Sequence, residues 1–197
     1  MLKKTRTEIV IAGVAYDLGH LAPKPHKSPV NLPGGILKDV PVQVAYTMHC
    51  YSRGLRSGEV VQDVAPTHLL YDGNKPRVFC ERRYILSLQL PRLMRELLAQ
   101  PTLVHAVRGN NYVRIELVEE LADGTITTVT YYIILQLRKS APAEQRFIKM
   151  RVETAYPEDL VHYQPTVYDP KGLKLEKLLR ELWIYREGSA KPGKRKR

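Results

Sequence analysis

The chain of 197 residues is long enough for one domain that buries a core without disulfide or metal cross-links. Hydrophobic residues make up 44% and charged residues 26%, which excludes collagen-like, disordered and membrane-embedded compositions. Lys and Arg number 31 against 20 Asp and Glu, giving a net charge of +11. Such a charge attracts phosphates, so the expected partner is a nucleic acid.

Cysteine content and hydropathy predict a cytoplasmic protein that does not span a membrane. Cys50 and Cys80 are too few for a disulfide framework, so we expect free thiols in a reducing compartment. The apolar residues 9–15 are interrupted by Gly13, are short for a signal-peptide core and lack a clear cleavage site. No apolar run approaches the ~20 residues that cross a bilayer.

The N-terminal part of the chain predicts strands separated by irregular segments. Residues 7–16 and 42–51 are rich in β-branched or alternating apolar residues, and both predict strands. Residues 20–41 contain five prolines and the pair Gly34-Gly35, which indicates a loop. Residues 57–76 are rich in turn-forming residues, with a turn at Asp72-Gly73-Asn74.

Residues 79–99 predict a helix with one apolar stripe. Leu86, Leu90, Leu93 and Leu97 recur at spacings of three and four residues. Pro91 either bends this helix or begins a second helix in its first turn. Arg83 lies off the stripe, so we expect its side chain to point toward water.

Three strands and a helix follow. Residues 111–119 and 125–138 form a hairpin through the turn at Asp123-Gly124, and residues 145–155 form the third strand. Alternation predicts one packed sheet face and one polar, net-positive face. The packed face would carry Val113, Ile115, Leu117, Val129, Tyr131, Ile133, Leu135, Leu137, Ile148, Met150 and Val152. Residues 171–186 predict an amphipathic helix.

The expected fold is therefore α+β. It comprises a twisted antiparallel sheet with a helix packed on one face, extra N-terminal strands and a C-terminal helix. Residues 1–186 form one domain that includes the proline-rich loop 20–41. Residues 187–197 form a disordered basic tail, because they cannot bury an apolar face.

Catalytic sequence motifs are absent. Gly34-Gly35 is not followed by the Gly-Lys of a phosphate-binding loop, and there is no Gly-x-Ser-x-Gly or His-Glu-x-x-His. His49 and Cys50 would point to opposite faces of a strand, so no metal site is predicted and no cofactor is expected.

Metal-independent RNA cleavage is a chemistry that the remaining residues could supply. A base takes the proton of the 2′-hydroxyl, the oxygen attacks its own phosphate, an acid protonates the leaving oxygen, and cations stabilise the charge. His49 titrates in the right pH range and is followed by Arg53. Lys149 and Arg151 lie on a polar strand face that ends in Thr154 and Tyr156. Alternatively, His49 is an ordinary surface or hydrogen-bonded histidine.

The order helix, strand, strand, strand over residues 79–157 resembles the catalytic module of the barnase–EndoU–colicin–RelE ribonuclease superfamily. The stretch Arg146-Phe-Ile-Lys-Met-Arg-Val-Glu-Thr-Ala-Tyr-Pro157 is similar to the closing strand of its toxin and prophage members. The resemblance implies a small metal-independent ribonuclease of a mobile element or toxin system, with RNA favoured over DNA and a cognate inhibitor protein as a further partner. It places Arg83, Arg151, Thr154 and Tyr156 at the phosphate. Residues 1–78 have no counterpart in it, and no histidine lies at the usual position.

The resulting hypothesis is a metal-independent endoribonuclease. Its predicted catalytic residues are His49, Arg83, Arg151 and Tyr156. Its predicted nucleic-acid-binding residues are Arg53, Arg138, Lys149, Thr154, Lys194, Arg195, Lys196 and Arg197. Two alternatives remain: a nucleic-acid-binding protein without catalysis, and a protein–protein adaptor of a mobile element.

Overall fold

The computed structural model describes residues 7–107, 109–121, 123–141, 144–160 and 171–184. The fold is α+β, as predicted, with a seven-stranded, mostly antiparallel sheet and three helices, one of them near the C-terminal end. The predicted tail and its residues Lys194 to Arg197 lie outside the described residues.

Twelve strands and three helices make up the described regular structure. The strands are β1 (Glu8–Ile11), β2 (Val14–Asp17), β3 (Lys24–Leu32), β4 (Ile36–Tyr46), β5 (Ser52–Arg53), β6 (Leu69–Asp72), β7 (Lys75–Phe79), β8 (Leu103–Val107), β9 (Asn110–Glu120), β10 (Ile126–Lys139), β11 (Ile148–Pro157) and β12 (Leu173–Lys174). The helices are α1 (Glu81–Ser87), α2 (Leu90–Ala99) and α3 (Leu175–Ile184). The main sheet has the order β12-β8-β9-β10-β11-β4-β3, beside a smaller sheet β5-β7-β6 and the hairpin β1-β2.

The prediction of a loop at residues 20–41 is wrong, because most of this segment forms the hairpin β3–β4. β3 is an edge strand, and an edge strand tolerates proline because the missing N–H can face solvent. Pro25 and Pro29 both lie on β3 and are exposed. Pro41 precedes Val42, the first residue of β4 that pairs with β11. Gly34 and Gly35 make the turn with φ of 83° and 73°.

For residues 79–99, the alternative of a second helix that begins near Pro91 is correct. The segment is two helices, and Pro91 lies in the first turn of α2, where its missing N–H has no helical acceptor to lose. The leucine stripe is confirmed, since Leu86, Leu90 and Leu93 are buried in the main core. The C-terminal helix is also confirmed and begins at Leu175 rather than at residue 171.

The predicted hairpin β9–β10 is confirmed, and its register aligns the predicted apolar residues of the two strands. Leu117 pairs with Val129, Ile115 with Tyr131 and Val113 with Ile133, so the predicted apolar face is continuous across the two strands. Gly124 has a φ of 79°, as a turn at Asp123-Gly124 requires. The core on this face also takes in side chains of α1, α2 and α3.

The opposite sheet face is not uniformly polar. A second apolar cluster on it consists of Val107, Tyr112, Tyr132, Ile134 and Tyr156, all buried. Its rings follow one another across β9, β10 and β11, with centroids 5.9 Å apart between Tyr112 and Tyr132 and 5.8 Å apart between Tyr132 and Tyr156. Because tyrosine occurs on both faces of strands, alternation alone could not reveal this cluster.

One neighbouring pair in the main sheet, β4 and β11, is parallel, whereas the sequence predicted antiparallel pairing. The paired residues run from Val42 and Ile148 to Tyr46 and Val152, where the regular pairing ends. β4 ends and the chain enters a 3-10 turn at Met48–Cys50, while β11 continues after a bulge near Glu153. The strand predicted for residues 42–51 therefore ends five residues too late and begins six residues too late.

No helix within the described ranges is both long enough and apolar enough to cross a membrane.

Candidate functional site

The candidate site lies where the pairing of β4 with β11 ends. Thr47 links the two segments there. Its hydroxyl donates to the Glu153 carbonyl oxygen at 2.6 Å and accepts from the His49 N–H at 3.2 Å. Thr154 makes a second link, donating from Oγ1 to the His49 carbonyl oxygen at 3.3 Å. The 3-10 turn that carries His49 is thereby attached to the bulged part of β11.

The imidazole of His49 is paired with a carboxylate. Its Nε2 lies 3.0 Å from Asp72 Oδ2, in the turn between β6 and β7. An ionised carboxylate only accepts hydrogen bonds, so Nε2 carries the proton and Nδ1 keeps its lone pair. Burial lowers the pKa of His49, as does the nearby Arg77 charge, while Asp72 and Glu153 raise it. Together these effects lower the pKa of His49, so the imidazole is neutral at neutral pH.

Arg83 is buried, contrary to the prediction that it faces water. Only 6% of the residue is exposed, because α1 presents it to the end of β11 and the 3-10 turn. Its Nη1 donates to the carbonyl oxygens of His49 at 3.2 Å and Ser52 at 2.9 Å, and its guanidinium lies 5.3 Å from the centre of the Tyr156 ring. Burial lowers the pKa of Arg83. Its Nε has no hydrogen-bond partner among the described residues.

Arg77 is the second guanidinium of the site. Its Nε donates to Ser52 Oγ at 2.8 Å and its Nη2 to the Ser52 carbonyl oxygen at 3.0 Å. Burial, followed by the charge of Arg83, lowers the pKa of Arg77 to about 10. Within the described part of the chain, neither Arg77 nor Arg83 forms an ion pair with a carboxylate. Asp72 raises the pKa of Arg77 without forming an ion pair with it, so it offsets the two partly desolvated cations only in part. Such cations favour the binding of an anion.

Three of the four predicted catalytic residues, His49, Arg83 and Tyr156, are linked by the contacts given above. Thr154, predicted to bind nucleic acid, joins them through the His49 carbonyl oxygen. Arg151 is exposed and joins the group through Glu153, whose Oε1 accepts from Arg151 Nε at 2.7 Å. Glu153 is the bulged residue of β11, and bulges often redirect a side chain beside a site.

The other predicted nucleic-acid-binding residues lie outside this group. Arg53 makes a two-point ion pair with Glu59, at 2.6 Å and 2.8 Å. Lys149 pairs with Glu144 at 2.7 Å, and Arg138 is exposed beside it in the register of β10 and β11. Arg53, Lys149 and Arg151 thus each pair with a carboxylate. Arg138, Lys149 and Arg151 share one sheet face and form a strip of basic side chains in which Glu144 and Glu153 offset two of the charges.

Sequence reasoning missed Arg77, Asp72 and Glu153. Asp72 lies in a turn that was predicted, but its contact with His49 joins residues 23 positions apart through the small sheet. Arg77 follows the same turn on β7. Nothing in the local sequence pairs these residues with His49. The described residues contain no group of three or more His, Cys, Asp or Glu side chains that could hold a metal ion.

Comparison with known proteins gives one match. Neither a curated protein nor a solved structure matches the chain. The model of the YjaZ family matches residues 8–183, which span the whole described fold except Thr7 and Ile184. The chain is therefore a member of the YjaZ family.

Proposed function

We propose that this protein binds RNA and cleaves it by attack of a 2′-hydroxyl on the neighbouring phosphate. The observation that carries the proposal is the convergence of Arg77 and Arg83, without carboxylate partners in the described chain, beside the His49–Asp72 pair. The net charge of +11 favours a polyanionic substrate. The basic strip of Arg138, Lys149 and Arg151 would follow the strand away from the cleavage site.

His49 is the general base of the proposed reaction. Its neutral imidazole accepts the 2′-hydroxyl proton at Nδ1, while Asp72 holds the ring through Nε2. The 2′-oxygen forms a bond to phosphorus, the bond from phosphorus to the 5′-oxygen breaks, and the leaving oxygen takes a proton from water. The products are a 2′,3′-cyclic phosphate and a 5′-hydroxyl.

The cations divide into two roles in this proposal. Arg77, half-buried, and Arg151, exposed, would contact the phosphate and stabilise its transition-state charge. Arg83 is a positioning residue, since its donors are directed at the carbonyl oxygens of His49 and Ser52. Tyr156 supports Arg83 through its ring.

The resemblance to the barnase–EndoU–colicin–RelE superfamily supports the same proposal. The elements α2, β9, β10 and β11 follow the order of that module, except that β8 is inserted between α2 and β9. We propose the same packing of helix on twisted sheet, with β1 to β8 as additions. A toxin-type or mobile-element ribonuclease, cytoplasmic and held by an inhibitor protein, follows from that resemblance as part of the proposal.

The proposal is tested by incubating the purified chain with total RNA in EDTA and analysing the new ends. Cyclic phosphate ends that disappear in His49→Gln, and persist in the control His68→Gln, are the expected result. His68 is half-buried on another 3-10 turn, near Thr67, and has no part in the site.

A second candidate is RNA binding without cleavage. It is favoured by the burial of Arg83, which leaves its guanidinium committed to main-chain carbonyls rather than to a substrate. A salt-sensitive gel shift with unbroken RNA would support this candidate over the enzyme. If RNA were neither bound nor cleaved, the adaptor hypothesis would be the remaining alternative.

A further inference from the structure

We propose that the cleft beside the open edge of β10 binds an extended, basic peptide segment of a partner protein as an added β-strand. The proposal concerns a surface separate from the His49 site.

Among the described residues, part of β10 has no paired strand on one side. β11 pairs with β10 only from Tyr131, opposite Pro157, and the chain then turns away through the 3-10 turn at Glu158–Leu160. Residues Ile126–Thr130 therefore pair with β9 alone within the described sheet. In an antiparallel ladder, alternate residues direct their N–H and C=O groups to each side. This stretch of about 16 Å, at ~3.3 Å per residue, offers such groups to the open side.

A cleft lies against this edge. Its volume is about 310 Å³, and it is lined by Arg82, Thr127, Thr128, Val129, Thr130, Glu158 and Asp159. This space is large enough to hold several waters, which an entering backbone would displace. An extended backbone would exchange those waters for main-chain hydrogen bonds, the interaction that gives affinity in strand addition.

The edge lacks the features that block strand addition. Proteins protect exposed edges with proline and lysine. The other long edge of the sheet, β3, carries Pro25, Pro29, Lys24 and Lys27. The open stretch of β10 reads Ile-Thr-Thr-Val-Thr, which has high β propensity and contains neither proline nor charge.

Charge favours a basic segment as the occupant. Arg82, Glu158 and Asp159 line the cleft, and Arg82 also contacts Glu119. These three negative charges and one positive charge give a local net charge of −2, in a chain of +11. Arg82 is already bonded to Glu119 at 2.8 Å and to Asp159 at 2.7 Å. A second copy joined edge to edge would bring these acidic groups against their own copies, so a basic partner segment is the better fit.

The test uses fluorescently labelled, end-blocked peptides and the full-length protein. The probe is a short peptide of alternating valine and arginine. Its two controls are the same peptide with glutamate in place of arginine, and with proline in place of alternate valines to remove N–H donors. Fluorescence anisotropy measures binding, and amide chemical shifts of residues 126–130 locate it. Asp159→Lys is compared with Asp39→Lys, the same charge change at an exposed position on β4.

The Val/Arg peptide should bind with a Kd of about 10–100 μM, a weak affinity suited to one short strand. Both control peptides and the Asp159→Lys variant should bind at least about tenfold more weakly, which corresponds to ~1.4 kcal/mol. Peptide binding should be unchanged in His49→Gln. Loss of RNA cleavage and loss of peptide binding are therefore separate outcomes. The proposal is overturned if no peptide binds, if the proline peptide binds equally well, if the shifts map elsewhere, or if the edge proves to join two copies of the chain.

Discussion

Arg77 and Arg83 donate to the same acceptor, the carbonyl oxygen of Ser52, at 3.0 Å and 2.9 Å. They reach it from β7 and α1. Burial and the charge of Arg83 lower the pKa of Arg77, and burial lowers the pKa of Arg83. The carbonyl acceptors offset part of the cost of burying these like charges, and we expect a bound anion to offset more of it.

Arg83 should contribute more to stability than to contact with substrate. Arg83→Ala removes two hydrogen bonds and the contact with the Tyr156 ring, so we expect a loss of about 2 kcal/mol in the free energy of unfolding. Arg83→Met should lose less, because it keeps most of the buried stem. Urea denaturation measures both, with Arg92→Ala as an exposed control expected within about 0.5 kcal/mol of wild type. Equal stability of Arg83→Ala and Arg92→Ala would contradict the positioning role.

Arg151 should matter more to RNA cleavage than to folding. It is exposed and pairs with Glu153, whereas the adjacent Val152 is fully buried. Arg151→Ala should leave Tm nearly unchanged and lower cleavage on the order of 10²-fold. Val152→Ala should cost ~1–2 kcal/mol and spare specific activity. Cleavage by Arg151→Ala at the wild-type rate would remove this residue from the proposed site.

Acid should destabilise the protein through His26. Burial, together with the charges of Arg95 and Lys24, lowers the pKa of His26 below 6.5. The unfolded chain therefore takes up a proton at a higher pH than the folded chain does. Stability is full above about pH 6.5 and falls as the pH drops through the window toward the lower folded pKa. His26→Leu should flatten the dependence of Tm on pH between 7.5 and 5, relative to His68→Gln, as measured by calorimetry; a slope identical to wild type would count against this source.

The C-terminal tail should add affinity for RNA without selecting sequence. Residues 188–197 carry five Lys and Arg and no acidic residue, a charge of +5. Deleting them should lower the slope of log affinity against log salt by up to about 3–4, since each phosphate neutralised on a single strand adds ~0.7. Filter binding over a salt series measures the slope. An unchanged slope would place the tail outside the RNA interface.

Local patterns predicted much of the fold. Alternation identified β9, β10, β11 and their buried face, and the leucine spacing identified α2 and α3, because both signals depend on neighbouring residues. The hairpin β3–β4 was missed because proline reads as a loop former unless the strand is known to lie at an edge.

The candidate site was predicted only in part, because some of its contacts join segments that are distant in the sequence. His49, Arg83, Thr154 and Tyr156 were chosen by residue type and by the resemblance, and they do lie together. Burial of Arg83 and the pairing of His49 with Asp72 depend on how α1 and β7 pack against the 3-10 turn. Such contacts between distant segments leave no periodic trace in the sequence.

Cleavage of a DNA strand that contains a single ribonucleotide tests the central claim most directly. In EDTA, the wild-type chain should cut only after the ribonucleotide and leave a 2′,3′-cyclic phosphate, as read by mass spectrometry. His49→Gln should slow this step by about 10²–10⁴-fold, the usual contribution of a general base, and still bind the strand. The account is contradicted if the wild-type protein binds the strand and leaves it whole, or if His49→Gln cuts it at the wild-type rate.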